Sequence, residues 1–479
     1  MIRIQRLKKK YKELNLPVRA ALWFTVCQFL QKGINMVTTP VFTRLLSTSE
    51  YGIASTYGSW SEVFVIIICL STWRGILNLY KDHSDKDRVL TSVLSLSVTI
   101  SITWFAILII LFPVLKDIIQ IPFLLYLGAV VSSASQNIIV AWTVRKQYDY
   151  VYKPIITVTM INTIVSSVGG ALLVAFVSRS AEGRIIPQIL CTVGTAIVIL
   201  FIYWRKYGLQ IDKKIWIFCL SFAIPLLPHY LSEVVLHSSD RIMINAMCGS
   251  SDVAIYSVAY SVGSLVLLVA SSINSVFAPY QYQQIKAQEY RKLATHTDVI
   301  IGFIALCCCG LIMFSREIVL IFGGLKYVDS IIIVVPIAMG VFYNYLFQIF
   351  ARVQEYYEEK HTIVIASLSC AGLNLLLNYI FIPIFGFSAA AYTTLFCYFT
   401  FCFLHYVFYR RVCIKNIGHE IYDIKGLVII SVAFSGVAVA ASFVDKIPIL
   451  KYILLLMALL ICLVKKNDII VFIKKMKKG

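Results

Sequence analysis

Long apolar runs alternate with short polar links along the chain. About 18–20 apolar residues suffice to cross the hydrocarbon core of a membrane as a helix. Backbone groups inside a membrane must bond within their own segment, and these runs lack the strict alternation of β-barrel strands. The sequence therefore predicts an all-α integral membrane protein with about fourteen spans, at 18–42, 54–73, 89–113, 121–144, 154–178, 185–204, 215–238, 253–278, 298–321, 329–351, 362–383, 387–409, 425–443 and 448–464.

The composition supports a membrane protein. Of the 479 residues, 59% are hydrophobic and 14% are charged, with a mean hydropathy of +0.82. The net charge of +19 does not indicate nucleic-acid binding, because the basic residues flank apolar runs and form no separate soluble domain. The 13 cysteines lie nearly all in apolar runs, so we interpret them as small packing residues and expect no metal site or cofactor.

The basic residues of the links indicate an orientation. If residue 1 is placed in the cytoplasm, the links on that side carry 33 Lys and Arg, and the links on the other side carry 8. Short cytoplasmic loops are enriched in Lys and Arg. We therefore expect a multi-pass protein of the bacterial cytoplasmic (inner) membrane with both termini in the cytoplasm.

Two similar segments, 202 residues apart, indicate an internal repeat. Ser47–Ser55 and Gly249–Ser257 both contain a serine followed by an acid, a small residue, Ile and Ser. We expect each to begin a helix, with Ser49 or Ser251 as N-cap and the acid in the first turn. Six spans separate the copies, which predicts two parallel, pseudo-symmetric six-helix bundles (1–208 and 209–412) and an accessory region of spans 13 and 14 with a basic tail (413–479).

Span 1 carries a polar stripe. Gln28, Gln31, Lys32 and Asn35 follow at i, i+3, i+4 and i+7, which places them on one helical face. A charge inside a membrane costs about 2.5–3.5 kcal/mol on insertion scales and is expected to face a polar cavity. We predict that this face binds cargo, with Lys32 directed at an anionic group.

Span 7 carries an equivalent stripe of Glu233, His237, Asp240 and Arg241. Arg241 is a second candidate for a phosphate group, because its guanidinium matches phosphate oxygens. Glu233, Asp240 and Glu62 of span 2 are candidates for binding a coupling ion. The structural alternatives are an ion pair between Lys32 and Glu233 and a purely anchoring role for Asp240 and Arg241 at the membrane interface.

Three arginines at predicted cytoplasmic span ends, Arg74, Arg145 and Arg352, are further candidates for drawing in an anionic headgroup. The alternative is that they reflect only the orientation bias of membrane proteins. The sequence has no Gly-rich phosphate loop and no constellation of catalytic or metal-binding residues, so we do not expect an enzyme.

Several motifs resemble those of Wzx-type polysaccharide flippases, which belong to the superfamily that also holds the MATE exporters and the lipid II flippase. The resemblance covers essentially the whole chain, although Ser388 stands where the family often has Gly. Its motifs are Thr39–Ser47 with Glu50-Tyr51-Gly52, Asp240-Arg241 with Tyr256-Ser257 and Ala259-Tyr260, and Asn374, Asn378, Pro383 and Gly386 with Ala389-Ala390-Ala391.

This resemblance implies a MATE-like fold with a cationic central cavity. It also implies that the chain flips undecaprenyl-pyrophosphate-linked oligosaccharide, such as O-antigen or other surface polysaccharide units, by ion-coupled alternating access. Expected partners are this cargo, membrane lipids, and a polysaccharide polymerase or chain-length regulator. Alternatives are a MATE-type cation-coupled exporter, a membrane polymerase or ligase, and a scaffold without transport activity.

Overall fold

The computed structural model describes residues 15–444, which are almost entirely helical. Twelve of the helices in this part of the chain are long and apolar enough to cross a membrane, and all of them follow the first long helix, α1. The long helices are α1 Leu16–Leu45, α2 Thr48–Cys69, α3 Lys86–Ile119, α4 Phe123–Tyr148, α5 Tyr152–Phe176, α6 Ala181–Tyr207, α7 Lys213–Cys248, α8 Ser250–Ala287, α9 Tyr290–Met313, α10 Leu325–Tyr356, α11 Lys360–Phe385, α12 Phe387–Asn416 and α13 Ile424–Val444. The predicted span at 448–464 lies outside the described residues.

The helix α1 has the length of a span but not its apolar composition. It contains 30 residues, and the polar stripe at Gln28, Gln31, Lys32 and Asn35 interrupts its apolar surface. Such a helix is stable in a membrane only if its polar face lies against protein or water. The packing of α1 therefore decides where a polar pathway can lie.

The helices form the two predicted bundles. Helices α1–α6 pack together, as do α7–α12, and α13 packs against α9 and α10. Because the long helices alternate in direction, the links 46–47, 120–122, 177–180, 249, 314–324 and 386 lie at one end of the protein, which we call the junction end. This arrangement confirms the predicted all-α, two-bundle membrane fold.

The two copies of the repeated segment contact each other at the junction end. Ser49 Oγ lies 2.8 Å from Ser250 Oγ, and Thr48 Oγ1 lies 3.3 Å from Ser251 Oγ. The 202-residue spacing makes Thr48 equivalent to Ser250 and Ser49 equivalent to Ser251, so a two-fold exchange converts one contact into the other. This reciprocity is the property of an interface around a two-fold axis.

The helix starts differ from the prediction in one detail. Helix α2 is capped by Ser47, whose Oγ accepts a bond from the Glu50 N–H at 3.2 Å, and not by Ser49. Helix α8 begins after Gly249, which has φ +99°, and not at a Ser251 cap. The reason is that both helices start two residues earlier than expected, which frees Ser49 for the contact with the other bundle. The acids Glu50 and Asp252 lie in the first turns, as predicted.

Candidate functional site

Helix α1 lies between two cavities. The first, which we call the interbundle crevice, has a volume of about 310 Å³ and separates α1 from α8. Its walls include Lys32, Asn35 and Thr39 of α1 and Ser261 and Ser264 of α8. It is bounded by both bundles and can therefore change shape when they move relative to each other.

Lys32 is the cation of the interbundle crevice. Its Nζ lies 3.5 Å from Ser271 Oγ of α8. The alternative ion pair with Glu233 does not form, since the Glu233 carboxylate lies 3.8 Å from the His229 ring instead. No described carboxylate forms an ion pair with Lys32, so its charge is available to an anionic ligand in the crevice.

The second cavity, which we call the N-bundle cavity, has a volume of about 570 Å³ and lies among α1, α4, α5 and α6. Gln31, Asn35, Thr38 and Thr39 form its α1 wall. Asn35 and Thr39 line both cavities, so the two spaces adjoin around these residues. The predicted single face of α1 is thus divided, with Lys32 on the crevice side and Gln31 on the bundle side. Gln28 is exposed and is not part of either wall.

Glu62 and Arg241 both lie near the contact of α2, α7 and α8. The carboxylate of Glu62 accepts a hydrogen bond from the Ser238 hydroxyl of α7, which joins the two bundles. The Arg241 guanidinium stacks over the Tyr260 ring at 4.5 Å and donates to the His237 carbonyl at 3.4 Å. Arg241 has no carboxylate partner among the described residues.

Asp240 lies inside the C-terminal bundle and is 2% exposed. It accepts hydrogen bonds from Tyr256 Oη at 2.5 Å, Asn378 Nδ2 at 2.7 Å and Thr394 Oγ1 at 2.8 Å. These three neutral donors, from α8, α11 and α12, offset part of the cost of burying a carboxylate. Asp240 therefore lies in the bundle interior, where it holds α7 to α8, α11 and α12.

A second layer of polar groups surrounds this carboxylate. Asn374 Nδ2 donates to Thr394 Oγ1 at 3.0 Å, and Asn374 Oδ1 accepts from Ser239 Oγ at 2.9 Å. The Thr393 hydroxyl donates to Asn378 Oδ1. Oxygen-rich groups around one carboxylate suit a hard cation or a proton. We call the set Asp240, Tyr256, Asn374, Asn378 and Thr394 the Asp240 cluster.

The three arginines predicted at the span ends differ in their partners. Arg145 pairs with Asp87 at 2.9 Å and also with Asp149, so its charge is compensated within the N-terminal bundle. Arg352 is 8% exposed and bonds to two amides, Gln281 Oε1 at 2.7 Å and the Asn274 side chain.

Arg74 lies with its guanidinium 3.7 Å from the Tyr230 ring of α7. Like Arg352, it forms no ion pair with a described carboxylate. The structure therefore separates Arg145, which is held by two acids, from Arg74 and Arg352, which form no ion pair with a described carboxylate.

The polar lining of the N-bundle cavity on α4–α6 was not predicted from the sequence. Helix α6 carries Arg184, Gln188 and Thr192 at a spacing of four, and α5 carries Thr159, Asn162, Thr163, Ser166 and Ser167 on one face. The spacing is that of the α1 and α7 stripes. A search of every span for this period would have found them.

Comparisons with known proteins agree with the fold. A family described as "Polysaccharide biosynthesis protein" matches residues 18–284, and the MatE family matches residues 225–380. A relative from Haemophilus influenzae, "Lsg locus putative protein 1", is 24% identical over 344 residues, which cover 68% of this chain and 83% of the relative.

Two solved transporters share the fold. The lipid II flippase MurJ, in an inward closed conformation, superposes with a TM-score of 0.70 at 15% identity and covers 94% of this chain and 100% of its own. An inward-facing multidrug resistance MATE family transporter of the MOP superfamily has a TM-score of 0.60 at 12% identity, with coverage of 83% and 99%. At sequence identities this low, the similarity to these two proteins shows a shared fold only.

Proposed function

Because the chain belongs to the polysaccharide biosynthesis protein family, we propose that it flips an undecaprenyl-pyrophosphate-linked oligosaccharide across the bacterial cytoplasmic membrane. The cargo is a repeat unit of O-antigen or another surface polysaccharide. The observation that carries this proposal is the cation in the interbundle crevice: Lys32 faces the space between the bundles, and no described carboxylate pairs with it.

The chemistry of the crevice favours an anionic headgroup. A pyrophosphate displaces the 3.5 Å contact between Lys32 and Ser271 and accepts a charge-assisted bond from the lysine. Arg74, Arg241 and Arg352 add positive potential from nearby elements, whereas Arg145 is already held by acids. The lipid tail remains in the membrane while the headgroup crosses between the bundles.

The Asp240 cluster is the coupling site in this proposal. A sodium ion or a proton bound there neutralises the buried carboxylate and changes the packing of α7 against α11 and α12. Glu62 and Glu233 are secondary candidates, since Glu62 bonds across the bundle interface and Glu233 lies beside His229. Ion binding in one bundle then biases the equilibrium between inward- and outward-open states.

In the proposed orientation both termini are cytoplasmic and the junction end faces the periplasm. This follows from the distribution of Lys and Arg in the links. The boundaries at 208 and 412 then divide the chain into the two bundles and an accessory region. A polymerase and a chain-length regulator are the proposed partners at the periplasmic side.

The test is transport by the purified full chain in proteoliposomes that contain the lipid-linked oligosaccharide. Loss of a charge-assisted bond in Lys32→Ala reduces flipping by about 10- to 100-fold, and Lys32→Arg retains most activity. Lys286→Ala, at an exposed position near the end of α8, serves as the control. Equal flipping by the wild type and Lys32→Ala would remove the crevice lysine from the mechanism.

A cation exporter is the second candidate, because the MatE family model matches residues 225–380. Its binding site would need acids or apolar surface to hold a lipophilic cation, and Lys32 opposes such a ligand. Proteoliposomes that export ethidium but do not flip the lipid-linked oligosaccharide would favour this candidate.

A further inference from the structure

The N-bundle cavity has an unusual lining for the interior of a membrane protein. Of its 18 lining residues, 13 carry amide or hydroxyl groups, four are apolar and one, Arg184, is charged. Its volume of about 570 Å³ falls in the range of about 300–1,000 Å³ typical of ligand sites. Ligand sites for drug-like molecules are mostly apolar, so this lining suits a different class of molecule.

Two residues that line this cavity each have a buried polar atom with no hydrogen-bond partner among the described residues. One is a donor, Nη1 of Arg184, and the other is an acceptor, Oδ1 of Asn162. The remaining groups of Asn162 are used, because its Nδ2 bonds to Thr195 Oγ1 at 3.2 Å and the Val158 carbonyl at 3.0 Å. Unsatisfied buried polar atoms are costly. They show that Arg184 and Asn162 keep hydrogen-bonding capacity that the described residues do not use.

The cavity is also pre-shaped by its neighbours. The Arg184 guanidinium lies between the rings of Phe42 and Tyr51, at 4.7 and 4.8 Å, which fixes the position of its charge. Helix α5 forms a π-helical turn at Val165–Gly169, and such turns often occur at functional sites. Ser167 in this turn donates to Asn35 Oδ1 at 3.0 Å, which holds the α1 wall in place.

Among its described residues, the C-terminal bundle has no cavity of comparable size with a similarly polar lining. Two of its cavities measure about 30 and 140 Å³, and the larger of these is lined by Glu233, Glu355 and three histidines. A third, of about 480 Å³ on α11 and α12, is lined mostly by apolar side chains. The two halves of the pseudo-symmetric protein have therefore diverged, with a large polar cavity that contains one arginine in one half and a buried carboxylate cluster in the other.

We propose that the N-bundle cavity is a glycan-binding site that holds the sugars of the cargo while Lys32 holds its pyrophosphate. The inference rests on the proposed function and assigns the sugar to a place within it. Sugar hydroxyls donate and accept hydrogen bonds, as do the amides and hydroxyls of the lining. Asn35 and Thr39 connect the two cavities, so a chain of sugars extends from the crevice past these residues toward Arg184.

The lining of the N-bundle cavity also argues against a cationic drug as its ligand. No carboxylate is among the lining residues, so the cavity offers nothing to neutralise a cationic drug. Arg184 favours a hydroxyl, carboxylate or other acceptor group at the far end of the ligand. The remaining alternative is a cavity that holds only water, and the experiment below distinguishes this alternative from a glycan site.

The experiment compares two cargoes in proteoliposomes that contain the full chain. Both are polyprenyl pyrophosphates, one with the complete oligosaccharide and one with a single sugar, and flipping is followed by reaction with a membrane-impermeant oxidant. The double variant Gln136→Met and Gln188→Met removes two cavity amides at nearly constant volume. It lowers flipping of the oligosaccharide cargo by about tenfold and leaves the single-sugar cargo unchanged.

Arg184→Met gives the same selective loss, and two exposed positions provide matched controls. Arg179 lies in the link before α6, and Gln147 lies at the end of α4. The variants Arg179→Met and Gln147→Met are expected to flip the two cargoes like the wild type. Transport of the single-sugar cargo also proves that each variant is folded.

The outcomes separate the two proposals. Cavity variants that flip both cargoes like the wild type, or lose both equally, overturn the glycan site and leave the proposed function standing. A wild-type protein that flips neither cargo overturns the proposed function and the glycan site with it.

Discussion

Gly52 of α2 packs directly against the backbone of Ser250 at the start of α8. A β-carbon on Gly52 would lie 1.7 Å from the Ser250 carbonyl oxygen, far inside van der Waals contact. The two residues belong to the repeated segments of opposite bundles. The junction end is therefore closed by backbone contact, which only a glycine at position 52 permits.

We predict that Gly52→Ala prevents full closure of the junction end. The methyl group meets backbone and not a flexible side chain, so the bundles must separate locally. Transport by this variant is expected to fall at least about tenfold, since about 1.4 kcal/mol against the closed state suffices. The measurement is flipping of the lipid-linked oligosaccharide in proteoliposomes.

Gly58→Ala on the same helix is the matched control. A β-carbon at Gly58 has nothing within 4 Å, and alanine is the better helix former. We expect this variant to be at least as stable and as active as the wild type. If Gly52→Ala were equally active, closure at this contact would not be a step of transport.

A disulfide between the bundles provides a second test. Ser49 Oγ and Ser250 Oγ lie 2.8 Å apart, close enough for the cysteine pair Ser49→Cys and Ser250→Cys to form an S–S bond of about 2.05 Å. The bond locks the junction end, so oxidation is expected to stop transport and reduction to restore it. Each single variant, with the native cysteines present, is the control and keeps its activity under oxidant. Undiminished transport in the cross-linked protein would show that this end does not open.

The span pattern and the repeat were predictable because both are local properties of the sequence. The stripe containing Lys32 was also visible, since its period is that of a single helix. The division of that stripe between two cavities was not, because it depends on how α1 is rotated between α5 and α8. Adjacent helical positions differ by about 100°, which is why Asp240 enters the bundle interior while Arg241 stacks on Tyr260.

The N-bundle cavity is a second feature that could not be predicted from the sequence. Four helices contribute to it, and each contributes amides or hydroxyls that are common in membrane helices for packing alone. Only the packed structure shows that Arg184 and Asn162 line one space and that each has a buried polar atom without a partner among the described residues. The sequence supplies the residues, and the tertiary packing decides whether they form a site.

Arg145 can be tested for a structural role, in contrast to the arginines proposed to attract the cargo. Its side chain is 11% exposed and pairs with Asp87 and Asp149, so Arg145→Met leaves two acids without their partner. We expect a loss of about 2–4 kcal/mol in stability, because breaking a mostly buried pair by removing one partner is costly. Arg88→Met, in an exposed pair with Asp85 at 3.8 Å, should change stability by less than about 1 kcal/mol. Thermal unfolding in detergent compares the two, and equal melting temperatures would contradict the structural role of Arg145.

Asp240→Asn tests the proposed coupling site. The substitution removes the charge but keeps the size of the side chain, and the hydroxyls of Tyr256 and Thr394 can reorient to bond with the amide. We therefore expect a folded protein whose flipping no longer accelerates when a proton or sodium gradient is imposed, whereas the wild type accelerates. Asp252→Asn, in the first turn of α8 and outside the Asp240 cluster, is the matched control and should retain the gradient response. A normal gradient response in Asp240→Asn would move the coupling site elsewhere, and Glu62→Gln would then be the next variant to measure, because its carboxylate bonds across the bundle interface.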